Sequence, residues 1–223
     1  ATKIIAVSKA TKEDLVKLGI NPTKVTVVYE GYDKNLFKPV KGLSRAKSRD
    51  DLLVNSLRRF GLEPGEFFMF IGTVQPRKNL ERLIKAFAVM VARYGTKNRS
   101  TRKSETSSNS QASLEARQST SNYTIDSPHF LIARNFATLK LVIAGSKGWL
   151  ADEIYKLPKK LGIEDKVKFL GYVPEKDLPA LYSGAVALTY PSLFEGFGLP
   201  ILEAQACGCL VLTSNTSSMP EVA

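Results

Sequence analysis

The run Ala185-Val186-Ala187-Leu188-Thr189 leads directly into Tyr190-Pro191-Ser192-Leu193-Phe194-Glu195-Gly196-Phe197-Gly198-Leu199-Pro200-Ile201-Leu202-Glu203. The apolar run is short and does not alternate with polar residues, so it predicts a strand buried on both faces, as parallel sheets require. Pro200 suits the first position of a following helix, where its missing N–H costs nothing. Gly208 marks the place where that helix should stop. A strand that passes through a glycine loop into a helix points to an open α/β sheet, which binds ligands in the crevice at the carboxyl ends of its strands. Glu195, in the loop, and Glu203, in the first helical turns, are both expected to face that crevice. Gly196 and Gly198 let the backbone approach a ligand closely. Free N–H groups at the helix start favour an anion such as phosphate. Carboxylates for hydroxyl groups, beside bare amides for phosphate, fit a sugar nucleotide.

The same strand-to-helix grammar recurs upstream. Phe67-Phe68-Met69-Phe70-Ile71 predicts a buried strand ending at Gly72. The loop Thr73 to Lys78 follows, and Asn79 is expected to cap a long helix. In that helix Leu80, Leu83, Ile84, Phe87, Met90 and Val91 keep the spacing of one buried face. Arg77 and Lys78 therefore sit where a strand hands over to a helix, a place to neutralise a diphosphate. Leu139 to Gly145 predicts another buried strand and Ser146 to Trp149 a ligand-side loop. A helix then runs toward Leu161, with Pro158 expected to bend or end it. Val167 to Leu170 predicts a short strand, Pro174 opens a helix through Gly184, and Leu210 to Thr213 forms the last strand.

The spacing E-G-F-G-L-P-I-L-E from Glu195 to Glu203 resembles the signature of the retaining glycosyltransferases of family 4, the glycosyl transferases group 1 domain of the GT-B architecture. Two further runs are similar to that family, "AVSKATKEDL…KVTVVYEGYD…F.P" near the start and "LVIAG…V.FLGYVPEKDLPALYSGA" later. The loop after Gly72 resembles the family's G-x-x-x-x-x-K-[GN] element, with Lys78 at the phosphate-binding lysine. Many members carry arginine directly after the glycine; here Thr73 stands there, and Arg77 is read as the second cation. The resemblance covers about residues 1–95 and 129–223.

It implies a Rossmann-like doubly wound parallel sheet, the donor-binding half of a GT-B architecture, with the acceptor domain apparently missing. Residues 1–49 are then a lead-in segment and linker. Residues 50–223 are the nucleotide-sugar-binding domain, expected to be incomplete at its C-terminal end. The implied reaction is glycosyl transfer from a nucleoside diphosphate sugar with retention at the anomeric carbon. Glu195, Arg77 and Lys78 are the implied catalytic set. Glu203 is implied to hold the ribose hydroxyls and the Val173 backbone the base, with Gly72, Thr73, Gly196, Phe197, Gly198 and Leu199 completing the donor site. No Asp-x-Asp occurs, so no metal is expected, and no cofactor beyond a GDP- or UDP-sugar donor. The "PRKN" form inclines toward mannosyl transfer from GDP-mannose, onto an unknown glycan or lipid acceptor. A nucleotide-sugar-binding module that needs a separate acceptor domain is the alternative; the isolated 223 residues are expected to bind without efficient transfer. The absence of G-x-x-x-x-G-K-[ST], and of G-x-G-x-x-G after the first strand, weakens other doubly wound nucleotide binders.

Charge is uneven. Residues 1–60 carry 13 basic and 6 acidic groups, whereas residues 139–223 carry 8 and 9. A basic N-terminal third can meet anionic lipid headgroups, and peripheral contact with the inner face of a membrane is one expectation. Scattered lysines also fit a plainly solvated surface, and no nucleic-acid partner is expected. Two cysteines, Cys207 and Cys209, are too close for an ordinary disulfide and too few for zinc. They read as small buried apolar residues in a reducing cytoplasm. From about 96 to 128 serine, threonine, asparagine and glutamine dominate. Such a stretch cannot offset its ordering entropy by burial, so a disordered insertion is expected. His129, the single histidine, is read as a bystander beside it.

Overall fold

The computed structural model describes residues 2–40, 52–94 and 138–223. The polar insertion, His129 and the linker after Val40 lie outside the described residues.

Strand β1 (Ile4–Ala6), helix α1 (Lys9–Lys17) and strand β2 (Val25–Val27) form a small unit in which the two strands pair in parallel. Ser8 caps α1: its backbone is extended, and its Oγ accepts the Thr11 N–H at 3.0 Å. The main unit begins with α2 (Leu52–Arg58) and β3 (Phe67–Ile71), then α3 (Leu80–Tyr94), β4 (Lys140–Ala144) and α4 (Asp152–Lys160). It continues through β5 (Val167–Gly171), α5 (Leu178–Gly184), β6 (Ala187–Tyr190), α6 (Leu199–Ala206), β7 (Val211–Thr213) and the short α7 (Met219–Val222).

The five strands of this unit are all parallel, in the order β5-β4-β3-β6-β7. The chain steps outward from β3 to β5 and then crosses back to lay β6 on the other side of β3. That reversal of direction opens a crevice at the carboxyl ends of β3 and β6. The continuous apolar runs are buried as expected for a parallel sheet: Phe67, Met69 and Phe70 on β3, Leu141 to Ala144 on β4 and Leu188 on β6 are sealed from solvent. On α3, Leu80, Ile84 and Phe87 are buried, and Leu83, Met90 and Val91 pack partly buried around them.

Two local expectations change. Helix α4 continues through Pro158 to Lys160. Proline there removes one hydrogen bond near the helix end, while burial of Ile154 and Pro158, four residues apart on one face, holds the turn in place. Pro174 precedes a 3-10 turn at Glu175–Asp177, and α5 begins only at Leu178. Cys207 and Cys209 are free and buried, and burial pushes both thiols to about 12. Among the described residues, no helix is long and apolar enough to cross a membrane.

Candidate active site

The loops that follow β3 and β6 meet across the crevice. After β3 the chain makes a 3-10 turn at Pro76–Lys78, then Asn79 adopts a left-handed φ of 58° and α3 starts. Asn79 does not spend its amide donor on the helix; Nδ2 donates to Pro191 O at 3.1 Å, and Leu193 N–H donates to Arg77 O at 3.0 Å. These bonds stitch the β3 loop to the β6 loop. The consequence is a compact ionic cluster. Lys78 Nζ lies 2.5 Å from Glu195 Oε1, and Arg77 Nη1 lies 2.8 Å from Oε2. Arg77 also donates to Phe194 O, and Lys78 donates to the Tyr190 hydroxyl at 3.2 Å.

In the sequence Lys78, with Arg77, stands at the handover from strand to helix as a cation for a diphosphate. In the fold it is 7% exposed and Glu195 is 8% exposed. The reason is electrostatic: an ammonium removed from water requires a counter-charge, and the crossing of β6 beside β3 supplies one. Burial raises the Glu195 carboxyl, but the hydrogen bonds and charges of Lys78 and Arg77 outweigh it and hold the group below the usual glutamate range. Ser192 Oγ is near enough to favour the ionised form, yet no atom meets it in hydrogen-bond geometry, so we count it as an unpaired buried hydroxyl. Two cations on one carboxylate leave the cluster with a net positive charge, suited to a further anion.

The glycine loop lies beside this cluster. Gly198 has a φ of 115°, a left-handed conformation that a side chain resists, and α6 follows immediately at Leu199. The carbonyls of Glu195, Gly196 and Phe197 all accept hydroxyl hydrogen bonds. The amides of Gly196, Phe197 and Gly198 find no acceptor among the described residues. A separate cavity of about 220 Å³ is lined by Gly72, Thr73, Gly145, Ser146, Tyr172 and Val173, at the carboxyl ends of β3, β4 and β5. Gly72, Thr73 and Val173 are thus together in one cavity, whereas Arg77, Lys78 and Glu195 form the cluster next to it.

Glu203 is held differently. Its Oε2 accepts from the buried Tyr182 hydroxyl on α5 at 2.8 Å. Arg77 and Lys78 pair with Glu195 and not with Glu203, so the two glutamates have separate partners. Burial raises the Glu203 carboxyl, the Tyr182 hydrogen bond opposes that, and Glu175 adds repulsion. A raised carboxyl favours the protonated folded state, so stability is lost as pH climbs through the folded pKa. Glu203→Gln is therefore expected to melt higher than the parent at pH 7, with the difference closing below about pH 4 as both states protonate. Thermal unfolding at the two pH values checks this; an equal or lower melting point at pH 7 contradicts it. Residues that sequence reasoning missed here are Tyr182, Tyr190 and Ser218. Only Tyr190 left a signal, as the aromatic at the end of the β6 run.

Comparison with known proteins bears on the fold and on the C-terminal part of the chain. Residues 130–223 match the family model described as glycosyl transferases group 1. The chain is 32% identical over 166 residues to O-antigen chain mannosyltransferase B of Escherichia coli, covering 74% of this chain and 33% of that protein. It is 32% identical over 216 residues to the D-inositol 3-phosphate glycosyltransferase of Salinispora arenicola, covering 96% of this chain and 40% of that protein. In structure it is similar to HepE of Anabaena, solved with UDP and glucose: TM-score 0.68, 20% identity, all of this chain and 47% of that one. The chain thus spans less than half the length of each of these relatives. The parallel sheet and the switch-point crevice give the chain the α/β fold of GT-B glycosyltransferases, and its residues 130–223 are similar to the glycosyl transferases group 1 domain.

Proposed function

We propose that this chain binds the nucleoside diphosphate sugar of a glycosyl transfer reaction, as the donor half of a retaining glycosyltransferase of family 4. The observation that carries the reading is the junction of the β3 and β6 loops. There two cations converge on one buried carboxylate, next to a glycine loop whose amides at Gly196, Phe197 and Gly198 have no acceptor among the described residues. The net positive cluster and the loose amides suit the two phosphates of a leaving nucleotide, whose growing charge they would stabilise as the glycosidic bond breaks. To Glu195 we assign a donor-sugar hydroxyl and the balance of an oxocarbenium-like centre. Glu203 is assigned the ribose hydroxyls, and the Val173 backbone with Gly72 and Thr73 the base. We assign the departing phosphate itself as the base.

For the donor we put forward GDP-mannose. The likeness to a mannosyltransferase supports mannose, while HepE was solved with UDP. Thermal shift and calorimetry with UDP, GDP, UDP-glucose and GDP-mannose decide between them. A ligand held at about 100 times its Kd stabilises the fold by about 2.7 kcal/mol, so a bound nucleotide moves the melting point by several degrees. No shift with any of the four overturns the proposal. The same panel, run with an acceptor extract, distinguishes turnover from binding alone. Peripheral membrane contact is the remaining part of the proposal, and we assign it to the face of α1 that carries Lys9, Lys12 and Lys17.

A further inference from the structure

The small N-terminal unit touches the glycine loop through side chains that the donor site as described does not use. Ser8 Oγ donates to Gly196 O at 2.7 Å, and Thr11 Oγ1 donates to the same oxygen at 3.1 Å. The Tyr29 ring, just past β2, lies 5.9 Å from the ring of Phe197 between centroids. Glu221, on α7, fixes the unit from the other end: its two carboxylate oxygens accept the N–H groups of Lys9 and Ala10 at 2.8 and 2.9 Å and the Tyr29 hydroxyl at 3.1 Å. Ser218 Oγ, fully buried, is within 3.0 Å of Glu195 O and 2.6 Å of Phe197 O.

From these contacts we infer that Ser8, assisted by Thr11, is a positioning residue for the donor diphosphate, acting through the glycine loop. The step rests on the nucleotide-sugar reading above. A trans peptide is a rigid plane in which C=O and N–H point opposite ways, and the described residues contain no cis bond. Two hydroxyls that pin Gly196 O therefore turn the Phe197 N–H away from α1, where it has no acceptor among the described residues. Ser217 Oγ donates to Glu195 O at 2.7 Å and Ser218 Oγ to Phe197 O at 2.6 Å, so the peptide planes on either side are fixed by their carbonyls. The loop would otherwise be free to rotate, since its glycines impose little conformational preference. With both neighbours pinned, its donors are oriented before any ligand arrives, which lowers the ordering cost of binding an anion. Ser8 does this while also capping α1, so the N-terminal unit and the loop are set by one side chain.

The test compares the parent chain with Ser8→Gly, Thr11→Val and Ser8→Thr, titrated with UDP and uridine, and with GDP and guanosine. Glycine is a tolerated helix cap, so Ser8→Gly removes the bond to Gly196 O with little loss of α1, and the melting point of each variant is recorded alongside. The expected result is about 3- to 10-fold weaker binding of the preferred nucleoside diphosphate by Ser8→Gly, the size of one hydrogen bond, with binding of the matching nucleoside unchanged. A smaller loss is expected in Thr11→Val, and Ser8→Thr is expected to bind as the parent does. A purely structural role would weaken nucleoside and diphosphate alike. Equal losses for the two, or no loss for the diphosphate, overturn the inference while leaving the nucleotide-sugar reading intact. Failure of the parent itself to bind UDP or GDP removes that reading and this inference with it.

Discussion

Glu195→Ala is expected to lower stability at pH 7 by about 3–5 kcal/mol, the cost of removing one partner from a buried ion pair. The carboxylate is the counter-charge for Lys78, which is 7% exposed, and for Arg77, which is more open to solvent. Without it the ammonium keeps only the Tyr190 hydroxyl at 3.2 Å and the face of the same ring, 5.2 Å from its centroid. Neither neutralises a charge. A cation–π contact contributes about 2 kcal/mol at best, less than the pairing lost.

The pH dependence gives the prediction a second, independent arm. The Glu195 carboxyl is held below its usual range in the folded chain. Its contribution is complete above the unfolded pKa, about 4.3, and fades as pH falls through the depressed folded value. The stability gap between parent and variant should therefore narrow in acid. Urea unfolding of both proteins at pH 7 and about pH 3 measures it. A variant as stable as the parent at pH 7, or a gap that does not change with pH, would show that the cluster is not the buried pair described here. If the variant folds, the proposed chemistry predicts that whatever transfer the parent supports falls by about 100-fold or more, since transition-state charge would lose its balance.

Gly145→Ala is expected to be at least as damaging, for a steric reason. A Cβ at that position would stand 2.0 Å from Gly72 O and 2.6 Å from Gly72 C, and the residue has a φ of 144°. Backbone atoms cannot swing aside as a side chain does. The Gly72 N–H donates to Ala144 O at 2.9 Å and the Gly145 N–H to Gly171 O at 2.6 Å, so β3, β4 and β5 are hydrogen-bonded at this level. Relieving the overlap means breaking those bonds and moving the walls of the 220 Å³ cavity. A loss above about 4 kcal/mol is expected, or a drop in melting point on the order of 10 °C for a chain of this size. Gly171→Ala is the matched control. Its φ is also positive, at 69°, but a Cβ there meets nothing within 4 Å, so only the left-handed penalty of about 1–2 kcal/mol applies. Similar melting points for the two variants would mean that conformational strain, not contact with Gly72, explains the glycine at 145.

The amino-acid sequence alone determined the strands, most helices and the loops that bear the site. Continuous apolar runs such as Phe67–Ile71 and Leu141–Ala144 can be satisfied only by burial on both faces, and glycine and proline mark the turns between them. The motif from Glu195 to Glu203, with its glycines and proline, encodes local backbone geometry and so marks the passage from β6 through a loop into α6. Tertiary structure alone decided what each charge meets. Glu195 and Lys78 are 117 residues apart, and Ser8 and Gly196 are 188 apart. No periodicity links such positions; the crossing of β6 beside β3 brings the first pair together. A bond from a hydroxyl to a carbonyl, as at Ser8 or Ser218, leaves no trace in sequence because the acceptor is present at every residue. The separate fate of Glu203, half-buried and bonded to Tyr182, likewise follows from the packing of α5 on α6 and not from its distance to Glu195 along the chain.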